Sequence, residues 1–131
     1  MERSSLSADE LTRLGLSDVE GAALATWIAT PSDDQLIATL GESLDADYAF
    51  GFDPLAKGRA WLRNARQMLR ARICPDHDAR LRDARLSESH SDTLALAAVF
   101  ASLLQGQLGG AINVTLVAVI LARQGVRSLC A

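Results

Sequence analysis

The sequence predicts an all-α fold: one domain over residues 1–131, a compact bundle of six or seven helices around a central apolar helix pair near the C-terminus. Three observations carry this. Nearly half of the residues are apolar but only 5% are aromatic, with Ala and Leu dominant, a composition that favours helices with close-packed small side chains over a β-sandwich. Helix-start signals recur through the first half of the chain. The last third contains thirty consecutive uncharged residues, Thr93 to Ala122, between Asp92 and Arg123.

The elements follow in order. Ser7-Ala-Asp-Glu10 reads as a capping box: the Ser7 hydroxyl accepts from the Glu10 backbone N–H and the Glu10 carboxylate reaches back. Leu6 and Leu11 occupy the staple positions around it, and Gly15 ends the helix in a left-handed cap. Ser17-Asp-Val-Glu20 is a second capping box, opening a helix to about Ala29, where Thr30-Pro31 stops it. Ser32-Asp-Asp-Gln35 starts a third helix, expected to stop at Gly41. Residues 42–52, with Tyr48, Phe50 and Phe52 alternating, read as a packed turn or a brief extended piece. Asp53-Pro54 gives a cap followed by proline at the first helical position, and that helix runs to about Ile73, ahead of Pro75. A short helix follows over about Asp76–Leu86. Ser87–Ser91 is a polar joint before a helix over about Asp92–Gln105, broken by Gly106, Gly109 and Gly110. Residues 112–121 are rich in β-branched side chains; their length and the lack of a partner strand favour a helix, with Val126–Cys130 as a closing turn.

Charge is unevenly placed. Residues 1–56 carry eleven acids against two bases, residues 57–85 nine bases against three acids, and the remainder balances. An acidic third and a basic third attract each other, within one molecule or between copies. Arg59, Arg63, Arg66 and Arg70, spaced four, three and four, fall within about 60° of one another on the 54–73 helix. Trp61, Leu62, Ala65, Met68, Leu69 and Ile73 take the adjoining face. Guanidinium forks suit carboxylates and phosphates. The bland reading is a solvated face paired locally with the acidic third. The functional reading makes these four arginines a partner-binding surface for an acidic protein or a second copy. A nucleic acid ranks behind both, since no Gly-rich phosphate loop is present and no aromatic residues interleave with the arginines.

No catalytic, metal or cofactor motif stands out. Cys74-Pro-Asp-His-Asp78, with His90 beyond it, matches no zinc spacing and reads as a helix break with polar caps. Cys74 and Cys130 are expected to be reduced thiols. Met1–Ser5 has no apolar run behind it, which predicts no secretory leader and, with the thiols, a cytoplasmic protein. The uncharged run suits a buried core pair; its rival is a membrane-active segment, weakened because Gln105-Gly-Gln-Leu-Gly-Gly110 interrupts its middle.

The apolar helix followed by Ala122-Arg-Gln-Gly-Val-Arg-Ser-Leu-Cys130 resembles the ending of small helical adaptor or effector-associated proteins of bacterial conflict (antiphage) loci. The resemblance covers about residues 94–130 and rests on pattern. It implies a protein–protein role and carries over no catalytic residue. The sequence therefore points to a non-enzymatic adaptor or regulator. The rivals are a membrane-disrupting effector, exposing residues 93–122 on activation, and a small nucleic-acid-binding subunit using the arginine stripe.

Overall fold

The computed structural model describes residues 6–44, 53–84, 90–108 and 112–130. These form eight helices and no strand. They are α1 (Ala8–Leu14), α2 (Asp18–Ala29), α3 (Asp33–Leu44), α4 (Pro54–Ile73), α5 (His77–Ala84), α6 (Asp92–Leu104), α7 (Val114–Gln124) and α8 (Val126–Cys130). The all-α bundle is as expected, with the closing turn formed as a one-turn helix. Of residues 42–52, 42–44 complete α3; the packed turn or extended piece expected over 45–52 lies outside the described residues, as does the Ser87–Ser89 part of the polar joint.

The central pair is α6 and α7. Leu94, Ala97, Ala98, Val99, Phe100, Ala101 and Leu104 of α6, and Leu116, Val117, Ala118, Val119 and Ile120 of α7, are all essentially inaccessible. Both helices are buried on nearly every face, which is why their charges sit only at the ends, Asp92 at the start of α6 and Arg123 in the last turn of α7. Among the described residues no helix is long and apolar enough to cross a membrane. Polar side chains close the start of α7. Asn113 caps it by accepting from the Leu116 N–H, the Thr115 hydroxyl donates to Asn113, and the Trp27 indole donates to Thr115 at 3.2 Å. Asn113 and Thr115 therefore start this helix rather than interrupt it, and the β-branched run that follows is helical.

Both predicted capping boxes form. Ser7 accepts from Glu10 N and Glu10 Oε1 accepts from Ser7 N; Ser17 and Glu20 repeat the arrangement. Each glutamate also reaches one end of α6. Glu10 meets the buried His90 ring, whose Nε2 lies 2.9 and 3.0 Å from its two oxygens, just ahead of the Ser91 cap. Glu20 accepts from the Gln105 side-chain amide at the far end.

The structure corrects the reading at two places. Gly41 does not end the third helix, which continues to Leu44. It lies where α3 and α4 cross antiparallel: a Cβ on Gly41 would come within 1.8 Å of the Pro54 carbonyl oxygen, and one on Gly58 within 2.1 Å of the Ile37 carbonyl oxygen. The two glycines let the backbones touch, a use of glycine unrelated to chain reversal. The second correction concerns the cysteines. Cys74, at the end of α4, is bonded to Cys130, at the end of α8, with Cα atoms 5.8 Å apart and a sequence separation of 56. They are not free thiols. Closing a loop of that length stabilises the fold by about 4 kcal/mol on the chain-entropy model. Two cysteines so far apart in sequence give no local signal of pairing, and the helices that bring them together are set by the core.

Candidate arginine-rimmed cleft

The four arginines of α4 project along one side of the helix, as their spacing requires, but the fold gives them different work. Arg59 bonds Asp34 of α3 at 3.2 Å, with both side chains more than half exposed. This is the local pairing with the acidic third that the charge distribution suggested, and an exposed pair of this kind contributes about 0–1 kcal/mol. Arg66 donates to the Ser128 carbonyl oxygen and so fastens α8 onto α4, a second tie between the two helices besides the disulfide. Arg63 and Arg70 have no hydrogen-bond or ion-pair partner among the described residues. Among the described residues the stripe thus has tied members, Arg59 and Arg66, and open ones, Arg63 and Arg70.

Arg63 and Arg66 stand on the rim of a cleft between α4, α7 and α8. Leu62 and Leu69 from α4, Leu121 and Gln124 from α7, and Leu129 from α8 complete it, and its volume is about 180 Å³. The lining follows from helical spacing: positions 62, 66 and 69 share one face of α4, and Arg63 flanks them. Leu69, Leu121 and Leu129 are buried, so the floor is the edge of the core. A guest here would meet four leucines, one amide and two guanidinium groups. A cavity on the order of 150 Å³ takes a benzene-sized guest, whereas sites for larger ligands run to roughly 300 Å³ and more. The cleft therefore suits one aliphatic side chain with a carboxylate beside it.

The arginines were legible in the sequence; the cleft was not. Leu121, Gln124 and Leu129 belong to segments read as core and closing turn. The spacing of Leu62 and Leu69 around Arg66 was the one available signal. Arg123 was also missed. It clamps the α2–α3 connection to α7, bonding the Thr30 and Pro31 carbonyl oxygens and lying 2.7 Å from Asp33.

The Cys74-Pro-Asp-His-Asp78 cluster presents no nucleophile in this state, since Cys74 is in the disulfide. His77 is buried, its Nδ1 3.2 Å from the Cys74 carbonyl oxygen, its Nε2 3.2 Å from Asp78, and its edge against Phe100. Among the described residues no group of three or more His, Cys, Asp or Glu side chains could hold a metal ion. No family model, curated protein or solved structure matches the chain.

Proposed function

We propose that this chain is a non-enzymatic protein-interaction module, an adaptor or regulator that engages an acidic partner through the α4 arginine face. The observation that carries the reading is the cleft. It sets Arg63, unpaired among the described residues, over four leucines in a space of about 180 Å³, a size suited to one anchoring side chain. Interfaces commonly draw their energy from such an anchor in a pocket, with rim charges setting orientation and association rate. The C-terminal resemblance to helical proteins of bacterial conflict loci points the same way, and a place in a defence system is part of the proposal. A cytoplasmic setting belongs to it on one condition. Cytosolic thiol pools keep ordinary disulfides reduced, so there the Cys74–Cys130 bond would have to form and break as part of the protein's work.

The test is a titration by fluorescence anisotropy of a labelled peptide of alternating Glu and Leu, at low and high salt, with duplex DNA and single-stranded RNA as rival probes. The expected result is peptide binding that weakens with salt and is lost in Arg63→Glu, while circular dichroism and the melting temperature stay unchanged. Tighter binding of either nucleic acid, lost in the same variant, would replace this reading with a nucleic-acid one. Binding of none of the probes would end it.

A further inference from the structure

Resting on the reading of the arginine-rimmed cleft as a docking site, we infer that its occupant is Val19 of a second copy of this chain, so that copies associate head to tail. Among the described residues Val19 is the exposed large hydrophobic, with 78% of its surface accessible. It projects from the first turn of α2, between Asp18 and Glu20. Asp18 is exposed and has no partner among the described residues, while Glu20 is held by its own cap and by Gln105. The turn therefore presents a branched aliphatic side chain with an open carboxylate beside it, the chemistry that the cleft selects. Valine fits a space of about 180 Å³ floored by leucines, and Asp18 can pair with Arg63 at the rim.

One molecule cannot make this contact with itself. Val19 lies beside Asn113, Val114 and Thr115 at the start of α7, and the cleft takes Leu121 and Gln124 from its end. The rise of a helix puts roughly 15 Å between Val114 and Gln124. Knob and socket sit at opposite ends of the same rigid helix, so each copy offers one of each. Such a contact joins unlike surfaces and propagates until it closes a ring or continues as a chain. Charge favours the same pairing: the knob belongs to the acidic third of the sequence and the two arginines of the socket to the basic third.

The test is sedimentation velocity on the oxidised protein at concentrations on the order of 0.1 mM, because a one-anchor interface falls in the weak class. Wild type should associate, less so as salt rises. Val19→Asp, which adds negative charge but removes the anchor, and Arg63→Glu should each be monomeric while melting like wild type. A mixture of the two variants should form 1:1 dimers and nothing larger, because the first keeps a working socket and the second a working knob. Monomeric wild type, wild-type association by either variant, or a mixture that stays monomeric would overturn the inference. If wild type is monomeric yet binds the Glu/Leu peptide through Arg63, the docking site stands and only its occupant is wrong. If it does neither, both readings fall together.

Discussion

The first turns of α1 and α2 are the same motif put to two uses. Ser7-Ala-Asp-Glu10 and Ser17-Asp-Val-Glu20 make identical reciprocal caps. The first is driven into the protein: Glu10 is buried and holds the buried His90 ring with both oxygens. The second stays at the surface, where Glu20 takes an amide from Gln105. The outward position between serine and glutamate also differs. In α1 it is Asp9, an exposed charge; in α2 it is Val19, an exposed aliphatic group. One cap is a fastening of the core, and the other is a pedestal for an aliphatic side chain most of whose surface is open. The staples tell the same story. Leu6 and Leu11 flank the first cap, whereas the matching position in α2 is Gly21, over which Leu11 itself lies: a Cβ there would come within 2.8 Å of Leu11 Cδ2. The α1 leucine serves both helices, and α2 needs no staple of its own.

Alanine substitution of the two glutamates should show the difference most strongly. Glu10→Ala removes a cap and strands a buried imidazole nitrogen, an orphan costing about 1–3 kcal/mol beyond the cap itself. The melting temperature should drop by on the order of 10 °C. Glu20→Ala leaves the Gln105 amide free to turn to water and should cost about 1 kcal/mol or less. Thermal or urea unfolding of both variants measures the gap. Equal losses would mean that burial of the first cap does not set its worth.

Acid unfolding should separate the caps next. Burial raises the Glu10 pKa, but the Ser7 backbone N–H, the His90 ring and the Ser7 hydroxyl outweigh it and hold the carboxyl below the ordinary value of 4.5. For Glu20 burial acts the same way and is outweighed by the Ser17 backbone N–H, the Gln105 amide and the Ser17 hydroxyl. A carboxyl depressed in the folded state adds stability above its unfolded pKa, and that stability is lost as pH falls through the folded value. The stability gap between wild type and Glu10→Gln should therefore be widest at neutral pH and narrow as the solution falls below about pH 4.5. Glu20→Gln should narrow in the same window from a smaller starting gap. A Glu10→Gln gap that grows on acidification would show that the carboxylate is not what the site stabilises.

Much of this was legible because caps, staples and helix stops are local. The start at Asp53-Pro54, the end at Ile73 and the apolar pair all follow from neighbours in sequence. Gly41 was misread because a glycine that ends a helix and one that admits another backbone look alike until Gly58 is seen opposite it. The disulfide, the Arg66–Ser128 bond and the Arg123 clamp link residues more than fifty positions apart, so only the packed core reveals them. The arginine stripe lay between these cases. Its spacing was local, but its division into ties and open groups depended on where Asp34 and Ser128 arrive.

Making α2 copy α1 at its outward position is the mildest change and the most discriminating. Val19→Asp creates Ser17-Asp-Asp-Glu20, which matches the α1 turn at its third position and carries one acid more than that turn. Val19 keeps most of its surface accessible, so little burial is lost within the monomer. An acid in the first turn interacts favourably with the helix N-terminus, by about 0.3–1 kcal/mol, while the nearby Asp18 and Glu20 oppose a third negative charge. The two terms nearly cancel, and chemical denaturation should find the monomer within about 0.5 kcal/mol of wild type. A substitution with no footprint on folding that removes association would show that the valine belongs to the interface. Should the variant instead lose more than about 1 kcal/mol, Val19 is packing within its own chain, and the contrast between a fastening cap and a presenting cap fails at the residue on which it most depends.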